Sequence, residues 1–148
     1  MMENKEQTKK MTAGEFWALS CTWGLFMTLL GAVAALALIV TGHKPKMFRY
    51  VVYFEFGEGW GGVNLGAFFI VNKNASQSMK QHEAGHGVQN TRYGLLMPFI
   101  VSLPSAVRYW IREAKKKKGQ GDNLTSYDAI WFEGEATALG EENFSLEV

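Results

Sequence analysis

The chain has 148 residues, 47% of them apolar and 20% charged, and its 15 Lys and Arg nearly balance its 14 Asp and Glu, for a net charge of +1. This length fits one small domain and excludes a large soluble enzyme with separate modules, while the balanced charge argues against nucleic acid as a partner. The single Cys21 rules out an intrachain disulfide framework.

Residues 1–15 form a polar leader to a long apolar run. From Phe16 to Gly42 there are 27 residues without a formal charge. As a helix they would reach about 40 Å, beyond the roughly 30 Å hydrocarbon core of a bilayer. Trp17 and Trp23 near one end and His43, Lys44 and Lys46 beyond the other supply interfacial anchors. Residues 16–42 are therefore predicted as one transmembrane helix. The run is too long for the apolar region of a cleaved signal peptide, although Lys9, Lys10 and Ala35-Leu36-Ala37 have some of that pattern.

Tyr50 to Phe56 and Ala67 to Val71 are rich in β-branched and aromatic residues, with Gly57, Gly59, Gly61 and Gly62 between them. The pattern predicts a β-hairpin with a wide glycine-rich connection. Ser78-Met79-Lys80-Gln81 fits a capping box, so a helix is expected from about Met79 to Tyr93, closed by Gly94. Tyr93 to Val107 is uncharged but broken by Pro98 and Pro104, which predicts either an interfacial or re-entrant helix or a core helix. Arg108 to Lys118 then holds six basic residues against Glu113 alone, a composition suited to lipid phosphates. Beyond Lys118 there are seven acidic residues and no Lys or Arg. Ser126 to Leu139 is predicted as the last helix, capped by Gly140.

The chemistry is concentrated in His82-Glu83-Ala84-Gly85-His86, an H-E-x-x-H pattern on the predicted Met79 helix. Residues four apart share a helical face, so both imidazoles can reach one ion, and Glu83 lies about 100° around, beside the metal. From there its carboxylate can take a proton from a zinc-bound water. A catalytic zinc needs a third protein ligand and an open position. No His falls at the metzincin spacing, which leaves Asp122, Asp128, Glu133 and Glu135 as candidates. Glu133 is favoured, because it shares its face with Ala129, Ile130, Ala136 and Thr137, and a carboxylate among such side chains needs a partner. Glu135 reads as solvated. Tyr93, Arg92, His43 and Tyr127 are all candidates to stabilise an oxyanion.

Here the chain resembles the zincin metallopeptidases, in the gluzincin-like arrangement where a Glu on a later helix completes H-E-x-x-H. The resemblance implies His82, His86 and Glu133 as zinc ligands, Glu83 as base, and a strand before the active helix, Gly66 to Val71, that aligns an extended peptide. It also implies an Asp four residues after the ligand Glu, where this chain has Thr137. Gly85 before the second His is similar to membrane-bound AAA proteases and site-2 type intramembrane proteases. There is no ATPase module, however, and Lys80, Gln81, Gln89 and Asn90 are too polar for a helix inside a bilayer. The element order is similar to that of short bacterial membrane proteins.

Together these readings predict an α+β chain. Residues 16–42 cross the membrane, and residues 43–148 form a zincin-like domain with a hairpin, the H-E-x-x-H helix, a Pro-broken apolar helix and a Glu-bearing final helix. The expected function is that of a zinc-dependent membrane-anchored peptidase. Its partners are membrane lipids and a peptide or protein substrate. The bacterial cytoplasmic membrane is the expected location, and Lys115 to Lys118 tilt the catalytic domain toward the cytoplasm. The alternatives are a non-enzymatic membrane protein with a structural or regulatory metal, and a zinc hydrolase acting on a non-peptide substrate.

Overall fold

Alternating apolar side chains build a four-stranded mixed sheet in the computed structural model, which describes residues 10–119 and 130–144. The strands are β1 (Lys46–Phe48), β2 (Val51–Glu55), β3 (Gly62–Leu65) and β4 (Phe68–Val71), in spatial order β1-β2-β4-β3. Among the described residues five α-helices surround them: α1 (Ala13–Ser20), α2 (Leu25–Val40), α3 (Gln77–Tyr93), α4 (Leu103–Lys117) and α5 (Trp131–Asn143). Because strand side chains alternate, the sheet has two apolar faces. Val51, Tyr53, Phe69 and Val71 pack with Ala84, Val88 and Leu139 of α3 and α5, whereas Val52, Phe54 and Ile70 pack with Ala35 and Leu38 of α2. Each large apolar side chain buried this way contributes about 1.5–3 kcal/mol.

The predicted hairpin is not formed. β2 and β4 are parallel neighbours, with Val52 opposite Phe68 and Glu55 opposite Val71. The glycine-rich stretch holds a strand of its own, β3, which folds back on β4 antiparallel. Its turn is fixed by Gly66 at φ 71° and by Asn64, whose side chain bonds both the N–H and the carbonyl of Gly66. β3 thus takes one edge of β4 and leaves the other for β2. The actual hairpins are β1-β2 and β3-β4.

The predicted continuous helix over 16–42 is also broken. α1 and α2 meet at 95°, and among the described residues no single helix is long and apolar enough to cross a membrane. Tertiary contacts fix the break. Asn90 Nδ2 donates to Gly24 O at 3.1 Å, and Trp23 Nε1 donates to Arg92 O at 3.2 Å. A Cβ on Gly24 would stand 2.4 Å from Asn90 Nδ2, so the approach depends on glycine. These bonds contribute about 1 kcal/mol each and hold the corner against the end of α3. α2 keeps one face on the sheet and exposes Leu25, Phe26, Leu29, Leu30, Val33, Leu36, Ile39 and Val40 on the other.

α3 starts two residues earlier than predicted. Ser76, not Ser78, is its N-cap, accepting from Met79 N at 3.1 Å. It ends at Tyr93 with Gly94 at φ 55°, as the sequence indicates. A 3-10 turn (Gly94–Leu96) and a π-helical turn (Pro98–Ser102) then lead into α4, and Gln77–Leu96 meets Pro98–Lys117 at 115°. Of the Tyr93–Val107 stretch, Gly94, Met97 and Val101 are buried, whereas no residue of α4 itself is. α5 begins at Trp131 and continues past Gly140 to Asn143; residues 126–129 of the predicted helix lie outside the described residues. Gly140 is therefore no cap. It faces α3, where a Cβ would meet Gln81 O at 2.1 Å.

Candidate metal centre

Two glycines bring the site together. A Cβ on Gly85, inside H-E-x-x-H, would stand 1.9 Å from Ala136 O, and Gly140 gives the reciprocal close approach from α5 to α3. With the two helices backbone to backbone, Glu133 reaches the face of α3 that carries both imidazoles. Glu133 Oε2 lies 2.9 Å from His82 Nε2 and 3.2 Å from His86 Nε2. Among the described residues these three form the group able to hold a metal ion, their ligand atoms all within 4.8 Å of one another. Asp122, Asp128 and Tyr127 lie outside the described residues.

The outer ring nitrogens decide how the imidazoles point. Gln89 Nε2 donates to Phe132 O and to Glu135 Oε1, which leaves Gln89 Oε1 to accept from His86 Nδ1 at 2.6 Å. In a neutral His86 the lone pair is then on Nε2 and faces Glu133. His82 Nδ1 is held by Thr137 Oγ1 at 2.8 Å, so its Nε2 also points inward. Both Nε2 atoms and the Glu133 carboxylate thus face one another, an arrangement that one metal ion could bridge.

Charge and burial agree. Glu133 is fully buried, and burial alone would raise its pKa, but hydrogen bonds from His82, His86 and Ser105 outweigh that and hold it below the ordinary carboxylate range. Burial would lower His86, yet Glu133 and Glu83 prevail and raise it. Glu83 goes the other way: burial holds it above the usual carboxylate value against the opposing pull of His86 and His82. The pocket thus lowers the pKa of Glu133 and raises that of Glu83, so Glu83 is the more basic of the two carboxylates.

Glu83 and His86 line a cavity of about 330 Å³ that continues between β3 and α4. Asn64 Nδ2 donates to Glu83 O at 2.9 Å and ties β3 to α3. Glu135 is not the solvated residue expected: it accepts from Tyr93 Oη at 2.7 Å and from Gln89 at 3.1 Å, behind His86. That use turns Tyr93 away from a role at an oxyanion. His43 contacts Thr41 and Phe56, and neither it nor Arg92 lines the cavity.

Sequence reasoning missed Thr137, Gln89, Ser105 and Asn64. Two carried a signal: Thr137 follows Glu133 by four residues, and Gln89 follows His86 by three, the spacings that share a helical face. Replacing Thr137 with Val keeps the volume and removes the bond to His82, so metal affinity should fall about tenfold or more. Competition with a chromophoric chelator measures it, and an unchanged affinity would remove Thr137 from the centre. Comparison with family models, curated proteins and solved structures finds no match for this chain, so its reading rests on this geometry.

Proposed function

We propose that the chain is a membrane-bound zinc-dependent hydrolase that cleaves peptide bonds, with His82, His86 and Glu133 as ligands and Glu83 as general base. The observation that carries this reading is the convergence of two inward-pointing Nε2 atoms on a fully buried carboxylate, with a second buried carboxylate lining the same cleft. Zinc, when bound, supplies a Lewis acid that polarises the scissile carbonyl and acidifies water. Glu83 takes a proton from the attacking water and returns it to the leaving amine.

A peptide is favoured over other substrates by β3. This strand is at the edge of the sheet, and Gly62, Val63 and Asn64 line the cavity, so an extended chain can pair with it beside Glu83. The strand expected from sequence, Gly66 to Val71, cannot serve, because β4 is paired on both sides. Membrane attachment is assigned to the α1-α2 unit, whose outer face exposes eight large apolar side chains of α2. The Lys115 to Lys118 run sets the catalytic face toward the cytoplasm.

Purified protein should contain one zinc per chain, and His86→Ala and Glu133→Gln should each lose most of it. Cleavage of a peptide library should stop with chelator and return with zinc. Wild-type stoichiometry in Glu133→Gln would remove that ligand, and zinc without cleavage of any peptide would overturn the peptidase assignment. After alkaline carbonate extraction the full chain should stay with the membrane pellet; release to the supernatant would refute the anchor.

A further inference from the structure

We propose that substrates reach this centre from the membrane-water interface, because α4 is at once a wall of the cleft and a lipid-binding helix; the inference rests on the peptidase reading above. At 100° per residue, Ser102, Ser105, Ala106 and Tyr109 fall on one side of the helix and Leu103, Val107 and Ile111 on another. The first set lines the cavity, where Ser105 Oγ donates to Glu133 and Tyr109 Oη donates to Trp60 O at 2.9 Å. The second set is exposed, together with Leu95, Leu96 and Phe99 just before it.

Trp110 joins the two faces. It lines the cavity and is 66% exposed, so the mouth of the cleft is continuous with the apolar stripe. The stripe ends in Lys115, Lys116, Lys117 and Lys118, all exposed. An apolar face about 12 Å long from Leu103 to Ile111, at 1.5 Å per residue, with a cationic end matches one occupant in both chemistry and charge, an anionic phospholipid surface. α4 also packs against the proposed anchor through the preceding turn, where Met97 and Val101 meet Met27 of α2.

The substrate class follows. The cavity beyond Glu83 is walled by Trp60, Val63, Met97, Val101, Tyr109 and Trp110. It accepts a bulky apolar side chain, the kind carried by a polypeptide segment lying at the lipid interface. Such a segment meets the cleft by diffusing in the membrane plane and needs no release into water.

The test uses full-length protein in proteoliposomes of phosphatidylcholine with and without 30% phosphatidylglycerol. With Cys21→Ser and Val107→Cys, an environment-sensitive fluorophore on Cys at 107 should be strongly quenched by doxyl-labelled lipid in the anionic vesicles. Replacing Lys115, Lys116, Lys117 and Lys118 by Gln should at least halve that quenching. In parallel, a Phe-containing peptide bearing a palmitoyl chain should be cleaved at least tenfold faster than the same peptide without it. The four-Gln variant should lose that preference and keep its rate on the soluble peptide. Equal rates on both peptides, or no quenching at 107, would overturn the inference while leaving the peptidase reading intact. If neither peptide is cleaved by zinc-loaded protein, the peptidase reading fails and this inference with it.

Discussion

Glu83→Gln should lower kcat by about 10³-fold while the protein keeps its full complement of zinc. The amide preserves the shape of the side chain and its place in the cleft but cannot take a proton. At 1.36 kcal/mol per tenfold, that loss corresponds to about 4 kcal/mol of transition-state stabilisation. The zinc should remain because Glu83 is not among the three converging groups and both ring orientations are set elsewhere, by Thr137 and Gln89. Burial adds a reason for the size of the effect: it holds Glu83 above the usual carboxylate value, which makes it a stronger base than a solvated Glu. Metal analysis and steady-state kinetics on one preparation check both halves. Near-wild-type turnover in this variant would eliminate Glu83 as the base, and loss of zinc would make it a ligand.

The centre was legible in sequence wherever helical periodicity alone sets the geometry. His82 and His86 are four apart, and Glu133 is a carboxylate on an otherwise small and apolar face, so local rules place each side chain before any tertiary contact is known. The Tyr93-Gly94 helix end was legible for the same reason, since glycine relieves the cost of positive φ. What failed depended on distant partners. The corner between α1 and α2 has no Pro and is made by Asn90 of α3 donating to Gly24 and by Trp23 donating to Arg92. β3 was hidden because Gly-Val-Asn-Leu has little strand propensity; its place comes from Asn64, which binds the Gly66 turn and the Glu83 carbonyl together. The cap is Ser76 instead of the predicted Ser78 because the Ser76 hydroxyl accepts the Met79 N–H. Glu135 looked solvated because its partners, Tyr93 and Gln89, come from another helix.

Gly85→Ala should weaken metal binding without touching a ligand. By propensity alone the change is favourable, since Ala gains about 1 kcal/mol over Gly within a helix. The opposing effect is larger. The new Cβ would stand 1.9 Å from Ala136 O, a backbone atom that cannot rotate away, and ordinary contact begins near 3.4 Å. α3 and α5 must therefore separate by about 1.5 Å, at a cost of roughly 3 kcal/mol for forced overpacking. Glu133 moves with α5, whereas zinc-ligand distances tolerate shifts of only about 0.2 Å. Zinc affinity should drop at least tenfold, and the unfolding midpoint of the apoprotein should fall by several degrees. Gly14→Ala is the control: it lies in α1 with nothing within 4 Å of the new Cβ, so it should leave metal content unchanged and stability equal or slightly higher. If Gly85→Ala bound zinc like the wild type, the close approach of α3 and α5 would not be what carries Glu133 to the imidazoles.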